Sequence, residues 1–170
     1  MKKLLFLLAA CLLFLSSCAE GGDYLSYQRG IIYTSVDFFI EGTTYTADIF
    51  LTEGAEDGTR DAAILFTAPE NMSGITVKRV GEASYLSMDG IEIPMLPAAL
   101  SGFFDIADAF SIDGTLDRIE TGEGTNILYI SSPSGAYTVT LDTKTSLPQR
   151  IIADVGGRVI DIDVKSFIKK

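Results

Sequence analysis

The 170-residue chain contains no histidine, and its two cysteines, Cys11 and Cys18, both lie near the N-terminus. The commonest general base, the soft metal ligands and the cysteine nucleophile are therefore missing from everything after Cys18. Serine with lysine, or paired carboxylates, would need groups held at a working distance with tuned pKa values, and no spacing singles out such a pair. Asp161 and Asp163 stand two apart, as two carboxylates sharing a hard cation such as calcium would require. Ile160, Ile162 and Val164 alternate with them, however, which makes the acids the solvent face of a half-buried strand. Asp105, Asp108 and Asp113 read as a solvated helix face and the turn after it. The glycine-containing segments lack the strand-to-helix pattern of a phosphate loop. The expectation is a non-enzymatic protein with no catalytic residue, metal or cofactor.

The remaining chemistry is that of Cys18. Met1-Lys2-Lys3 is a short positive segment, and Leu4 to Leu15 is an almost wholly apolar run. At about 12 residues the run is too short for a spanning helix, which needs roughly 20, and it fits the hydrophobic part of a signal peptide. Leu15-Ser16-Ser17-Cys18 then resembles the lipobox of bacterial lipoproteins. The resemblance implies cleavage before Cys18 and a diacylglycerol on its thiol. Two acyl chains, at about 0.8 kcal/mol per buried methylene, give stable attachment where one is marginal. Ala19 directly after the lipidated cysteine resembles the outer-membrane-directed case, if the cell has two membranes.

The expected organisation is a signal peptide over 1–17, a lipidated N-terminus and tether over 18–30, and one domain over 31–170. Fully extended, the tether reaches at most about 40 Å, so the domain stays near its membrane, outside the cytoplasm. Tyr24, Leu25 and Tyr27 are expected to form one helical turn packed on the domain. Loss of Lys2 and Lys3 leaves 11 basic against 23 acidic side chains, a formal charge of −12. Phosphate backbones are bound by clustered Lys and Arg, and the sequence offers only Lys78-Arg79 and Lys169-Lys170, so no nucleic-acid partner is expected. The oligomeric state is not legible.

From Ile31 onward the elements follow hydrophobic period. Val36, Phe38 and Ile40 alternate with polar neighbours, Glu41-Gly42-Thr43-Thr44 turns the chain, and Tyr45, Ala47, Ile49 and Leu51 continue the alternation, a β-hairpin. A polar loop over 53–59 leads to a third strand with Ala62, Ile64 and Phe66, ended by Pro69. Short strands are predicted at about 74–80, 84–88 and 91–93. Over 97–110 the period changes: Leu100, Phe103, Phe104, Ala107 and Phe110 recur at three- and four-residue spacing, with Pro97 suited to a first helical turn. Strands resume at about 115–120, 126–131, 137–141, 149–155 and 158–167. The fold class is mainly β (α+β): an antiparallel meander forming an incomplete barrel or strongly curved sheet, with one amphipathic helix as its lid.

The stretch Leu141-Asp142-Thr143-Lys144-Thr145-Ser146-Leu147-Pro148-Gln149-Arg150-Ile151-Ile152, followed by Gly156-Gly157 and an alternating strand, resembles the closing hairpins of the LolA/LolB-like lipoprotein carrier family. Phe66-Thr67-Ala68-Pro69-Glu70-Asn71-Met72-Ser73-Gly74 resembles the Phe-x-x-Pro step between early strands of that family. The likeness implies an incomplete barrel whose concave apolar face, lidded by helices, receives acyl chains. The sequence differs from that pattern in having no arginine between Val36 and Leu51 to gate the cavity and no exposed leucine over 53–59. The apolar positions Phe38, Ile40, Phe66, Leu100, Phe103, Phe104 and Phe110 are the candidate lining.

Two readings stand at this point. In one, a membrane-tethered module binds a lipid or the acyl chains of another protein in a half-barrel cavity. In the other, the same stripe is one filled core, and the protein is an envelope interaction or structural protein acting through its acidic surface or a sheet edge.

Overall fold

The computed structural model describes residues 23–54 and 60–170. Cys18, the 1–17 segment expected to be a signal peptide, and most of the 53–59 loop lie outside them. The strands are β1 (Ile32–Ile40), β2 (Thr43–Leu51), β3 (Ala62–Ala68), β4 (Thr76–Val80), β5 (Ala83–Met88), β6 (Ile91–Met95), β7 (Thr115–Thr121), β8 (Thr125–Ser132), β9 (Gly135–Asp142), β10 (Pro148–Val155) and β11 (Arg158–Lys169). A single α-helix among the described residues, α1 (Pro97–Asp108), stands between β6 and β7.

All 11 strands form one curved, unclosed antiparallel sheet in the order β6-β5-β4-β3-β2-β1-β11-β10-β9-β8-β7. The topology is two meanders, β1 to β6 and β7 to β11, joined where the first strand pairs with the last. That seam runs from Ile32 opposite Lys169 to Phe39 opposite Asp161, with one bulge between Ser35 and Val36. The free edges are consequently strands from mid-chain, β6 and β7, and the segment carrying α1 is the crossover between them.

Period-two burial fixes which side each residue faces. Ile32, Thr34, Val36 and Phe38 of β1 are buried, as are Ala47, Ile49 and Leu51 of β2 and Ala62, Ile64 and Phe66 of β3. The same face of the second meander supplies Leu128, Ile130, Val139, Leu141, Ile151, Ala153, Ile160 and Ile162. Against this face lie Leu100, Phe104, Ile106 and Ala107 of α1, so sheet and helix share one core. The segment read as tether adds to it: Ser26–Gln28 is a 3-10 turn, and Tyr27 is buried with its ring edge-on to Phe167 at 6.3 Å.

Helix α1 ends two residues before the predicted position. Phe110 N–H bonds to the carbonyl of Ala107 at 3.0 Å, a tightened final turn that tucks the buried Phe110 under the sheet. Among the described residues no helix is long and apolar enough to cross a membrane, and no group of three acidic side chains is arranged to hold a metal ion.

Candidate functional site: the groove beside the lid helix

Pro97 opens α1, where its missing N–H costs nothing. Beyond it the three- and four-residue spacing puts Leu100, Phe104 and Ala107 against the sheet and leaves Ala98, Ala99 and Ser101 outside. The helix touches β2, β3, β4 and β5, and it is held at its sides by two arginines from strands. Arg158, the first residue of β11, donates from Nη2 to Asp105 Oδ2 at 2.8 Å. Arg79 of β4 makes a bidentate pair with Asp108, at 3.0 Å to Oδ2 and 2.5 Å to Oδ1, and its guanidinium lies 5.0 Å from the Phe104 ring centre. Charge-assisted pairing of this planar kind is directional as well as strong.

The sequence reading put Asp105 and Asp108 on a solvated face; the structure makes both of them anchors. Asp105 is four-fifths buried at its side chain. Burial pushes its carboxyl above the usual range, Arg158 pulls it back, and the Asp108 charge adds to the upward push. Hydrogen bonding to Asp108 holds the Arg79 guanidinium still more firmly protonated against the effect of burial. Gly102 leaves room for the first anchor: the guanidinium of Arg158 lies where a Cβ at 102 would stand, so a side chain there would make Arg158 shift.

Between α1 and the β1–β2 hairpin lies a groove of about 320 Å³, at the lower end of small-ligand sites. Ile40, Tyr45 and Phe103 give it an apolar floor, Ala98, Ala99 and Gly102 form the helix wall, and Glu41, Thr43 and Arg158 sit at its rim. The floor is an aromatic stack: Tyr45 lies on Phe38 at 5.1 Å, and Phe103 meets Phe66 edge-on at 5.2 Å. The helix-bearing face also continues past the helix. Leu86 and Ile93 stand in register with buried Val77, and the next pair on that face is Met88 with Ile91. Ile91, Ile93 and Met88 are nonetheless about half exposed or more, at 66%, 49% and 50%, and Leu96 at the helix entrance is 78% exposed.

The seven candidate lining residues divide between these layers. Phe38, Phe66, Leu100, Phe104 and Phe110 are buried in the packed layer between helix and sheet, while Ile40 and Phe103 are half-buried and face the groove. Sequence reasoning missed Tyr45, Arg79 and Arg158 as parts of the site. Tyr45 continues the apolar alternation of β2 and was legible as such. The arginines carried no local signal, because their partners lie 29 and 53 residues away.

Asp161 takes a bidentate contact from Arg150 at 2.8 and 2.6 Å on the outer face of the sheet, and Asp163 is exposed there.

No family model matches the chain, and no curated protein is detectably similar to it in sequence. Solved structures are similar to it in chain path. An uncharacterized conserved protein from Thermus thermophilus aligns over 87% of this chain and 84% of its own at 12% identity, with a TM-score of 0.49. A LolA superfamily protein from Nitrosomonas europaea aligns over 84% and 87% at 12% identity, TM-score 0.43. LprF from Mycobacterium bovis aligns over 85% and 89% at 12% identity, TM-score 0.41. At identities of 12% these likenesses transfer neither a function nor the role of any residue to this chain.

Proposed function

We propose that this chain is a bacterial lipoprotein, anchored outside the cytoplasm by diacylglycerol on Cys18, that binds a lipid or the acyl chain of another protein without catalysing a reaction. The observation that carries the reading is the apolar floor of Ile40, Tyr45 and Phe103 beneath a helix pinned by two arginine–aspartate pairs. Such a helix is a wall that side-chain rearrangement can move without unfolding the sheet, since the sheet's own ladder is independent of it. The half-buried Leu86 and the exposed Met88, Ile91 and Ile93 extend the same apolar face and give a long acyl chain somewhere to continue. Arg158 at the rim suits an anionic headgroup or carboxylate.

The signal-peptide pattern and the Leu15–Cys18 motif support export and lipidation. Native mass spectrometry of residues 19–170, purified without detergent and followed by solvent extraction, tests the binding claim. A lipid retained at fixed stoichiometry is the expected result; a mass that stays that of the bare polypeptide after incubation with phospholipids and acylated peptides overturns it. A second reading, an envelope interaction protein with a filled core, is favoured by the near-complete burial of Phe38, Phe66 and Phe110, and it is what that negative result would leave.

A further inference from the structure

The outer face of the sheet is polar along most of its area, with Asp37, Thr46, Arg150, Asp161 and Asp163 in neighbouring register positions. Phe39 and Val159 are exposed apolar side chains elsewhere on that face, and one end carries a contiguous cluster. Across three strands the row Ile168–Tyr33–Phe50 is apolar, and Leu65 stands one row further on β3. Tyr33 and Phe50 are in ring contact at 4.8 Å, and Ile168, Tyr33 and Leu65 remain 56%, 42% and 38% exposed. They line a shallow depression of about 430 Å³. An exposed aromatic and aliphatic cluster on the solvent side of a sheet marks a contact surface.

Two further features point to its partner. The patch lies where the chain enters the domain: Ile31 and Lys170 exchange backbone hydrogen bonds at 3.0 Å in both directions, and Gly30 (φ +80°) fits there because a Cβ would strike the Lys170 carbonyl. Cys18 is only five residues before Asp23, a reach of about 17 Å when extended. The second observation is charge. In a strongly acidic chain this end carries Lys169 and Lys170, with Lys169 Nζ on the Ser26 carbonyl at 2.7 Å and Lys170 Nζ 5.6 Å from the Tyr33 ring centre. Anionic headgroups repel most of the surface and attract this end. Asp48 is the acid within the patch, and Ser35 donates to it.

We infer that Tyr33, Phe50, Leu65 and Ile168, with Lys169 and Lys170, form the face that lies on the lipid bilayer. The inference rests on the lipoprotein reading for its anchor at Cys18. Docked this way, the domain is oriented as well as tethered, with the patch in the headgroup region and the two lysines at the phosphates.

The chain has no tryptophan, so Tyr33→Trp gives a single reporter on the patch and Tyr129→Trp, four strands away on β8, a control. Each variant is anchored to phosphatidylethanolamine–phosphatidylglycerol vesicles in two forms: as made by the cell, and as residues 18–170 with a maleimide lipid on Cys18, whose thiol is the only one there. With lipids brominated near the headgroup, the reporter at 33 should lose about half its emission, as expected for insertion of roughly 5–10 Å, while the reporter at 129 stays unquenched. Adding Lys169→Gln and Lys170→Gln should weaken the quenching. Leu65→Trp serves as a second reporter if Tyr33→Trp misfolds. A maleimide-anchored protein that floats with the vesicles yet shows no quenching at 33 or 65 overturns the docking face. Quenching in that form alone, with no acyl mass on cell-made Cys18, supports the face and overturns the lipidation. A blue shift without vesicles, accompanied by a dimer mass, assigns the patch to a second copy and overturns the bilayer contact.

Discussion

Arg158 and Asp105 are 53 residues apart in sequence and 2.8 Å apart in space, and their contact ties the start of the last strand to the middle of the lid helix. Arg79 and Asp108 repeat the arrangement from the other meander, on β4. The helix is therefore clamped to both halves of the sheet by side chains rather than by backbone pairing.

Releasing a clamp should loosen the helix and leave the sheet intact. Arg79→Ala removes the two hydrogen bonds to Asp108, a third from Nε to the Arg60 carbonyl and a cation–π contact, and should cost about 2 kcal/mol; Arg158→Ala, with one charge-assisted bond at a more exposed site, should cost about 1 kcal/mol. Urea unfolding measures both. Amide exchange should quicken over 97–108 in each variant and remain slow in β1, β2 and β11.

Substitutions of the aromatic floor should separate core from groove. Phe66→Ala empties a fully buried site and should cost about 3–5 kcal/mol. Phe103 is half-buried against Phe66, so Phe103→Ala should cost roughly half as much and change which lipids are retained. Equal losses of stability, with ligand retention unaltered, would place Phe103 in the core alone.

Tyr27 pins the entering chain. Burial pushes its phenol above its ordinary pKa, and the hydroxyl accepts from Gln28 Nε2 at 3.2 Å. Tyr27→Phe should cost under about 1 kcal/mol, because the ring carries the packing, whereas Tyr27→Ala should cost about 3 kcal/mol. Proteolysis near 23–30 should accelerate only in the alanine variant.

Acid stability should show two opposite contributions. The Asp161 carboxyl is held below the usual range by hydrogen bonding to Arg150, and that of Asp142 by the N–H groups of Thr145 and Lys144. Each contributes stability that is present above the ordinary carboxylate range, near about 4, and is lost as pH falls through the lowered value. Asp105 is shifted upward by burial, so the folded state holds its proton more tightly and stability falls as pH rises from the ordinary value to the raised one. Urea midpoints between pH 2 and 7 check both signs: wild type should gain on Asp161→Asn as pH rises below the ordinary range, and Asp105→Asn should gain on wild type as pH rises above it. A difference that does not vary with pH would contradict either assignment.

Much of this architecture was legible in the chain because period two and period 3.6 are local signals. The alternation Val36-Phe38-Ile40 and the stripe Leu100-Phe104-Ala107 give element type and inward face directly. The β1–β11 seam is not local: nothing near Ile32 specifies Lys169 as its partner, and without the seam two meanders cannot be placed in one sheet. The anchoring role of Asp105 and Asp108 was hidden for the same reason, since an acid on the outer side of an amphipathic helix looks solvated until a distant arginine is brought over it. Composition likewise concealed the apolar end of the outer face, where Tyr33 and Ile168 occupy positions that alternation assigns to solvent.

The proposed function places an acyl chain in the groove beside the lid helix. Ala99 is exposed on the groove wall, so Ala99→Trp fills the space without disturbing the layer beneath. Titration of wild type and this variant with a single-chain phospholipid, read by native mass spectrometry, should show one-to-one binding by wild type and at least about tenfold weaker binding by the variant, equivalent to about 1.4 kcal/mol, at unchanged thermal stability. Equal binding by both proteins, or none by either, would contradict the claim.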